Sequence, residues 1–475
     1  MTNNKPVSIR FGTDGWRAVI ADEYTYENVR ACAQGVASYL KSVGDADRGV
    51  VVGYDTRFSS DRFGEAVAQV IAANGIPVKL FSAPAPTPAC SYGVVKEHAA
   101  AGVMITASHN PGEWNGFKVK SDAGGSAPPE MVEKIEARVA DVLAGKEPVK
   151  TGNVKIPRIE IIPVFVEQLK RVLDITPIKS AHLKVVVDAM HGSGAGIIRK
   201  ALEGGNIEVI EIRGEPNPAF PGMAQPEPVE HNLQPLMDAV RLHNADVGIS
   251  TDGDADRVGI VDENGRYQST LEVFSLLGHH LLGRRGEKGG IACTITMSNM
   301  VDAICKEYGQ QVYRTSVGFK YVGPTMVGEN CVMGGEESGG YAFRGHIPER
   351  DGALSGLLYL EAMVMSGKTP SGLLAELHKL TGPHTFRRID AHFDSEKRAA
   401  IAKAIKIAEP ASLGGLAVES ADRRDGVRFE LAGGSWAVAR LSGTEPLARI
   451  YSEAHSESER DAILKDLQKV LGIAG

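Results

Sequence analysis

Short runs of β-branched and small apolar residues alternate with stretches whose apolar residues recur at helical spacing, and this alternation repeats along three successive parts of the chain. GVVVGYD (49–55) and AGVMITA (101–107) are continuous apolar runs of strand length. TYENVRACAQGVASYLKSVG places Val29, Ala33, Val36, Ala37 and Leu40 on one helical face before Gly44, and a second helical pattern carries Phe63, Val67, Val70 and Ile71. Strand-like runs continue at 184–188, 207–212, 246–250, 290–296, 311–316 and 331–334. Strands that are apolar throughout need cover on both faces, which helices provide in parallel sheets. The fold class expected is therefore α/β, three consecutive α/β domains with mostly parallel sheets. From about residue 382 the pattern changes to helix-like EKRAAIAKAIKIAE followed by alternating DGVRFEL and WAVARL, a smaller C-terminal α+β domain. The domains are expected at 1–153, 154–262, 263–381 and 382–475, with the Pro-rich GEPNPAFPGMAQPEP (214–228) as a long loop inside the second. In each α/β domain the last strand-like run ends in a polar loop: TASHNP, TDGDADR or GGEESGG. Ligands bind beyond the carboxyl ends of parallel strands, so the loops are expected around one central cleft.

Composition narrows the function classes. With 475 residues, 43% hydrophobic and 23% charged, each domain can bury a core. Lys plus Arg number 52 against 59 Asp plus Glu, a net charge of −7, so nothing draws the surface as a whole to nucleic acid or anionic lipid, and any anion must be held by a local basic cluster. No stretch approaches the roughly 18 apolar residues of a membrane span, and MTNNKPVSIRF lacks an apolar targeting core. A cytoplasmic protein without membrane or nucleic-acid partners is expected. The five cysteines are widely spaced and form no C-x-x-C pair, which argues against both a disulfide framework and a zinc site.

Asp252, Asp254 and Asp256 stand at alternate positions, so an extended segment would point all three carboxylates the same way. Their mutual repulsion calls for a divalent cation, and Mg²⁺ suits few protein carboxylates completed by phosphate oxygens. An EF-hand is excluded: Arg257 stands where that loop needs glycine, and the flanks are strands. The competing reading is a solvated acidic turn. Ser108, in TASHNP, is by itself a turn residue. A hydrolase serine is disfavoured because no G-x-S-x-G elbow surrounds it and His109 is its own neighbour. A phosphoryl group on Ser108 would link this loop to the Asp loop as a further anionic ligand. In RLSGTEP, Arg440, Ser442, Gly443 and Thr444 form a donor set for a phosphate dianion, or an ordinary turn. In GGEESGG, Glu336 and Ser338 lie between glycines, as sugar-hydroxyl recognition or a flexible exposed loop would have them. Met365 to Thr369 resembles the end of a P-loop but has Ala362 for its first glycine, and HGSGAG (191–196) half matches a dinucleotide fingerprint, with Ile197 at the third glycine position.

FGTDGWR (11–17), TASHNP, NGFK (115–118), TDGDADR, TSVGFKYV (315–322), GGEESGG, ERDG (349–352) and RLSGTEP, in this order over nearly the whole chain, resemble the α-D-phosphohexomutase family of phosphoglucomutases and phosphomannomutases. The resemblance implies a four-domain enzyme with one cleft, each domain contributing a loop. Ser108 would be the phosphoserine that passes its phosphoryl group to a hexose monophosphate, giving a hexose 1,6-bisphosphate intermediate and activator. One Mg²⁺ per chain would sit on Asp252, Asp254, Asp256 and the Ser108 phosphate. Arg17, Lys118 and Arg257 would surround that phosphate, with His109 as a supporting donor. Glu336, Ser338 and Lys320 would meet the sugar, and Arg440, Ser442, Gly443 and Thr444 the phosphate that is not reacting.

The E-E-S triplet, Gly340 where mannose or glucosamine enzymes often carry His, and Phe319-Lys320 resemble glucose enzymes, whereas RLSGTEP resembles phosphoglucosamine mutases. Glucose phosphates are the expected substrates. The alternatives are a phosphomannomutase, a phosphoglucosamine mutase or a glucose 1,6-bisphosphate synthase of the same family. A catalytically silent sugar-phosphate sensor would have shed Ser108 or an Asp, and an NAD-linked oxidoreductase would not need three Asp at 252–256. The oligomeric state is not legible.

Overall fold

The computed structural model describes residues 9–12, 14–442 and 446–473. Its chain divides into two compact units, one made of the described residues of Met1–Thr270 and Ser338–Ser371, the other of those of Leu271–Glu337 and Gly372–Gly475.

The first unit holds two sheets of one design. In the first, β2 (Val50–Tyr54) pairs in parallel with β3 (Val78–Phe81) and β4 (Ala101–Ile105), and β6 (Arg158–Ile159) extends the parallel side. Then β5 (Trp114–Ser121) runs antiparallel beside β4, and β1 (Trp16–Val19) antiparallel beside β5. In the second, β7 (Lys184–Asp188) lies parallel between β8 (Glu208–Ile212) and β9 (Val247–Thr251), while β10 (Val258–Val261) and β11 (Tyr267–Gln268) continue antiparallel from β9. Every residue of β2, β4 and β9 is buried, the signature of parallel strands covered on both faces. The helix Tyr26–Val43 begins where the Thr25 hydroxyl accepts from Asn28 N–H and ends at Gly44, whose φ of 82° only glycine adopts without strain. Its predicted apolar face is buried.

One sequence expectation is corrected here. The strand-like run before each polar loop of this unit is not the last of its sheet: β5 and β10 follow as antiparallel returns, so each loop is the bend between a parallel strand and its return. β5 escaped the apolar-run criterion because Asn115, Lys118 and Lys120, all 0% exposed, are buried within it. NGFK is accordingly strand, not loop.

In the second unit β12 (Ile291–Thr294) pairs in parallel with β13 (Val312–Thr315) and β14 (Met333–Gly335). The short β15 (Tyr341–Phe343) belongs to the first unit. The C-terminal sheet is antiparallel, in the order β16 (Thr385–His392), β21 (Leu447–Ala454), β20 (Trp436–Leu441), β19 (Val427–Leu431), β18 (Leu416–Asp422) and β17 (Ser412–Leu413). Val427, Phe429, Ala437 and Ile450 pack with Ile463, Leu464 and Leu467 of the helix Glu457–Val470. DGVRFEL and WAVARL are strands as expected. The molecule is a four-domain α/β fold with mostly parallel strands in mixed sheets and a small C-terminal domain. All five cysteines are free and buried, and burial pushes the Cys90 thiol up to about 12. Among the described residues no helix is long and apolar enough to cross a membrane.

Candidate active site

Ser108 sits in the bend between β4 and β5 with a φ of 54°. A side chain other than glycine holds this left-handed conformation at a cost of about 1–3 kcal/mol, and only where its surroundings impose it. The Ser108 N–H donates to Thr106 Oγ1 (2.8 Å), and the Ser108 carbonyl accepts from Arg57 Nη2 (2.7 Å). The hydroxyl, 1% exposed, donates to Asp252 Oδ2 at 3.2 Å and lies 3.4 Å from His109 Nδ1. The expected link between the serine loop and the Asp loop is thus a direct contact.

The extended geometry expected for the Asp loop is not observed. TDGDADR is a turn: Ala255 has a φ of 56°, and Asp252 Oδ1 accepts from the N–H groups of Asp256 (2.9 Å) and Arg257 (3.1 Å). The chain folds back around its first carboxylate, as Asp side chains allow, and convergence comes from that curl rather than from strand alternation. One oxygen from each of Asp252, Asp254 and Asp256 lies within 4.8 Å of the others, all three residues buried. Asp254 Oδ1 and Asp256 Oδ1 are buried without a hydrogen-bond partner among the described residues. Burial, then repulsion from Asp256 and Asp254, pushes the Asp252 carboxyl well above its ordinary value. Asp256 is raised too, burial and Asp254 prevailing over Arg350 and Lys118. Burial would raise Asp254 as well, but Lys118 and Thr87 outweigh it and hold that carboxyl well below the usual range. An all-oxygen set with two such carboxylate oxygens could hold a hard cation, and Mg²⁺ fits it.

Gly192 and Gly194 of HGSGAG, which half matched a nucleotide fingerprint, pack against the Asp loop instead. A Cβ on Gly192 would meet Gly253 O at 2.6 Å, and one on Gly194 would meet Thr251 Oγ1 at 2.4 Å. Ser193 donates through its N–H (3.0 Å) and its hydroxyl (3.2 Å) to Gly253 O. Sequence reasoning missed this support, although the glycine spacing after a strand was its signal.

Of the expected basic groups, Lys118 Nζ contacts Asp14 and Asp254 at 2.8 Å each and Asp256 at 3.5 Å. Burial alone would lower this ammonium, but the three carboxylates hold it above the ordinary lysine value. Arg17, on β1 opposite Gly116, donates to Asn110 Oδ1 at 2.8 Å. Arg257 Nη1 pairs with Glu227 of the Pro-rich loop at 2.5 Å, while its Nε is buried without a hydrogen bond among the described residues. Burial, Arg257 and Arg17 push His109 well below the ordinary imidazole value. Four charged residues beyond the expected set, Asp14, Arg350, Lys120 and Glu349, join this network. Arg350 Nη2 bridges Asp14 (2.8 Å) and Asp256 (2.7 Å), and Lys120 pairs with Glu349 at 2.7 Å. They lie in or just after the quoted motifs FGTDGWR, NGFK and ERDG, but nothing in those strings says that they would meet.

The remaining expected residues lie mostly in the second unit. Glu336 Oε1 accepts from Gly318 N–H (3.0 Å), and Lys320 Nζ stands 5.4 Å from the Tyr321 ring centroid. Ser338 belongs to the first unit and is half-buried. Arg440, at the end of β20, pairs with Asp425 (3.2 Å) and lies directly across from Arg449 on β21. Like charges placed opposite one another destabilise a sheet. Arg440 Nε, Arg449 Nε and Tyr451 OH are buried with no hydrogen-bond partner among the described residues, a donor set that an anion would satisfy. The Ser442 carbonyl accepts from Arg398 Nη2 (2.6 Å); Gly443 and Thr444 lie outside the described residues. Arg449 was missed because only strand register brings it beside Arg440.

Four family models cover the chain in order: phosphoglucomutase/phosphomannomutase alpha/beta/alpha domains I (8–145), II (163–265) and III (271–380), then the C-terminal domain (394–470). A phosphoglucomutase/phosphomannomutase of Thermococcus kodakarensis is 34% identical over 452 residues, covering 94% of this chain and 95% of its own. A probable phosphoglucosamine mutase of Methanopyrus kandleri is 34% identical over 463 residues, 96% of each chain. The crystal structure of a provisionally assigned phosphomannomutase from Thermus thermophilus superposes with a TM-score of 0.86 at 32% identity, over 98% of this chain and 100% of that one. With the same four domains in the same order as these relatives, the chain belongs to the phosphoglucomutase/phosphomannomutase family, isomerases that move phosphate within a sugar.

Proposed function

We propose that the protein interconverts hexose 1-phosphate and hexose 6-phosphate, with glucose as the sugar and Ser108 as the phosphoryl carrier. The carrying observation is the Ser108 hydroxyl on Asp252 Oδ2, beside two orphaned oxygens of Asp254 and Asp256. In the forward step the phosphoserine P–O bond breaks as the free sugar hydroxyl forms a new one; that hydroxyl loses its proton and Ser108 Oγ gains one. The resulting 1,6-bisphosphate turns around and returns its other phosphate to Ser108. Asp252, Asp254 and Asp256, with the Ser108 phosphate, would hold one Mg²⁺, which supplies neutralisation of charge on the transferring group. Arg17, Lys118 and Arg257 supply fixed positive charge around that phosphate. His109, with Nδ1 3.4 Å from Ser108 Oγ, acts as a supporting hydrogen-bond partner there. Glu336, Ser338 and Lys320 bind the sugar, and Arg440, Ser442, Gly443 and Thr444 the phosphate that is not reacting. Each of the segments 1–153, 154–262, 263–381 and 382–475 contributes one of these loops.

Gly340 supports glucose. A Cβ there would meet Arg350 Cδ at 2.3 Å, so the position occupied by His in mannose- or glucosamine-favouring members has no room for a side chain while Arg350 reaches Asp256. RLSGTEP and the M. kandleri relative's name support a second reading, a phosphoglucosamine mutase. The test is a coupled assay on glucose 1-phosphate, mannose 1-phosphate and glucosamine 1-phosphate with Mg²⁺ and a bisphosphate primer, alongside peptide mapping of the purified protein. Glucose 1-phosphate is expected to have the largest kcat/KM and phosphate to lie on Ser108. A larger value for glucosamine 1-phosphate selects the second reading, and accumulation of free bisphosphate selects a bisphosphate synthase.

A further inference from the structure

Arg57 lies in the turn after β2, outside every loop with an expected role, yet its donors are spent on the serine loop. Nη2 donates to the carbonyls of Ser108 (2.7 Å) and Asn110 (2.6 Å), and Nη1 to those of Pro111 (2.7 Å) and Trp114 (3.0 Å). Its Nε stands 3.2 Å from Asp55 Oδ2, and Asp55 Oδ1 accepts from the Arg57 N–H at 2.9 Å, which anchors the residue from behind. The guanidinium lies 4.9 Å from the Phe220 ring centroid, in the Pro-rich loop. The Ser108 carbonyl it holds also abuts the Asp loop, where a Cβ on Gly253 would fall 2.6 Å from that oxygen.

We propose that Arg57 is a positioning residue for phosphoryl transfer: its fork gathers four carbonyls of the serine loop, maintains Ser108 in its left-handed conformation and so aims Ser108 Oγ at the Asp loop. The proposal rests on Ser108 being the carrier. Lysine keeps the charge but presents one nitrogen, which cannot span four carbonyls.

Arg57→Lys is therefore expected to stay folded, with kcat lowered about 100-fold or more and KM for glucose 1-phosphate within about threefold, the signature of a misplaced reacting atom. In Arg57→Ala, millimolar guanidinium should restore part of kcat where ammonium at equal ionic strength does not. A folded Arg57→Lys enzyme with kcat near wild type, or one whose loss lies in KM, overturns the proposal. Should Arg57→Lys fail to fold, Phe220→Leu decides: it removes only the ring beneath the guanidinium, and kcat about tenfold lower at constant KM supports the proposal, whereas unchanged kcat overturns it. Peptide mapping of the wild type separates the two readings. Absence of phosphate from Ser108 overturns both, and phosphate on Ser108 together with an indifferent Arg57→Lys overturns this one alone.

Discussion

Asp254 is held from one side only. Its Oδ2 accepts from the Thr87 hydroxyl (2.6 Å) and from Lys118 Nζ (2.8 Å), leaving Oδ1 buried with no hydrogen-bond partner among the described residues. Asp254→Asn preserves the shape but removes charge needed by both Lys118 and a cation. Several kcal/mol of transition-state stabilisation should go with it, so kcat is expected to fall about 10³-fold, with little recovery in a Mg²⁺ titration. His109 makes a pH prediction with a definite sign. Its folded pKa is depressed below the ordinary 6.5 by burial and by Arg257 and Arg17. As the pH falls, the unfolded chain takes up this proton before the folded one, so the stability contributed is complete above pH 6.5 and is lost as the pH drops through the folded value. Urea melts of His109→Gln should accordingly lose less stability between about pH 7 and pH 5 than those of the wild type. Both residues stood out in the sequence through their motifs. Arg57 and Glu227 did not, because a charged residue in a loop carries no sign of the distant groups it will meet, and Arg350 stood in the quoted ERDG without any sign that it would reach Asp14 and Asp256.

At the scale of elements, the bend after β9 works because the glycine turn after β7 has no side chains in its way. Gly192→Ala would drive a methyl into the Gly253 carbonyl. Overpacking of this kind costs about 1–3 kcal/mol. Because the displaced backbone carries the proposed metal ligands, Mg²⁺ affinity by isothermal titration calorimetry should drop along with the melting temperature. A change in stability alone would mean that the turn does not set the ligand geometry. The short parallel strands β3 and β6 were missed, whereas β2, β4 and β9 were legible here because burial on both faces writes a continuous apolar run into the sequence. β5 was not, since its buried positions include Asn115, Lys118 and Lys120, whose burial is made tolerable by partners on other elements: Ser60 for Asn115, Asp254 for Lys118 and Glu349 for Lys120. Polar residues that pair across a fold imitate a surface segment when read in one dimension.

At the scale of the whole molecule, the expected cation site lies wholly within the first unit, and the prediction follows that boundary. Mg²⁺ binding should slow amide hydrogen exchange in the serine loop and the Asp loop and along β4 and β9, leaving β19 and β20 of the C-terminal sheet unchanged, since a ligand stabilises only the states that bind it. Equal protection of β19 and β20 would refute a site confined to the Asp loop. What the sequence by itself determined was the succession of α/β segments, the small C-terminal domain and the identity of the chemical loops, because hydrophobic periodicity and the crowding of Asp, Ser, Arg and glycine at turns are local properties of the chain. Tertiary structure alone decided how the three carboxylates converge, that Lys118 is shared among Asp14, Asp254 and Asp256, that Arg449 comes to lie across from Arg440, and that Arg57 grips the serine loop. These depend on strand register and on contacts between residues far apart in sequence, where the energy of a charged group is set by which partner is buried beside it, and no window of neighbouring residues contains that partner.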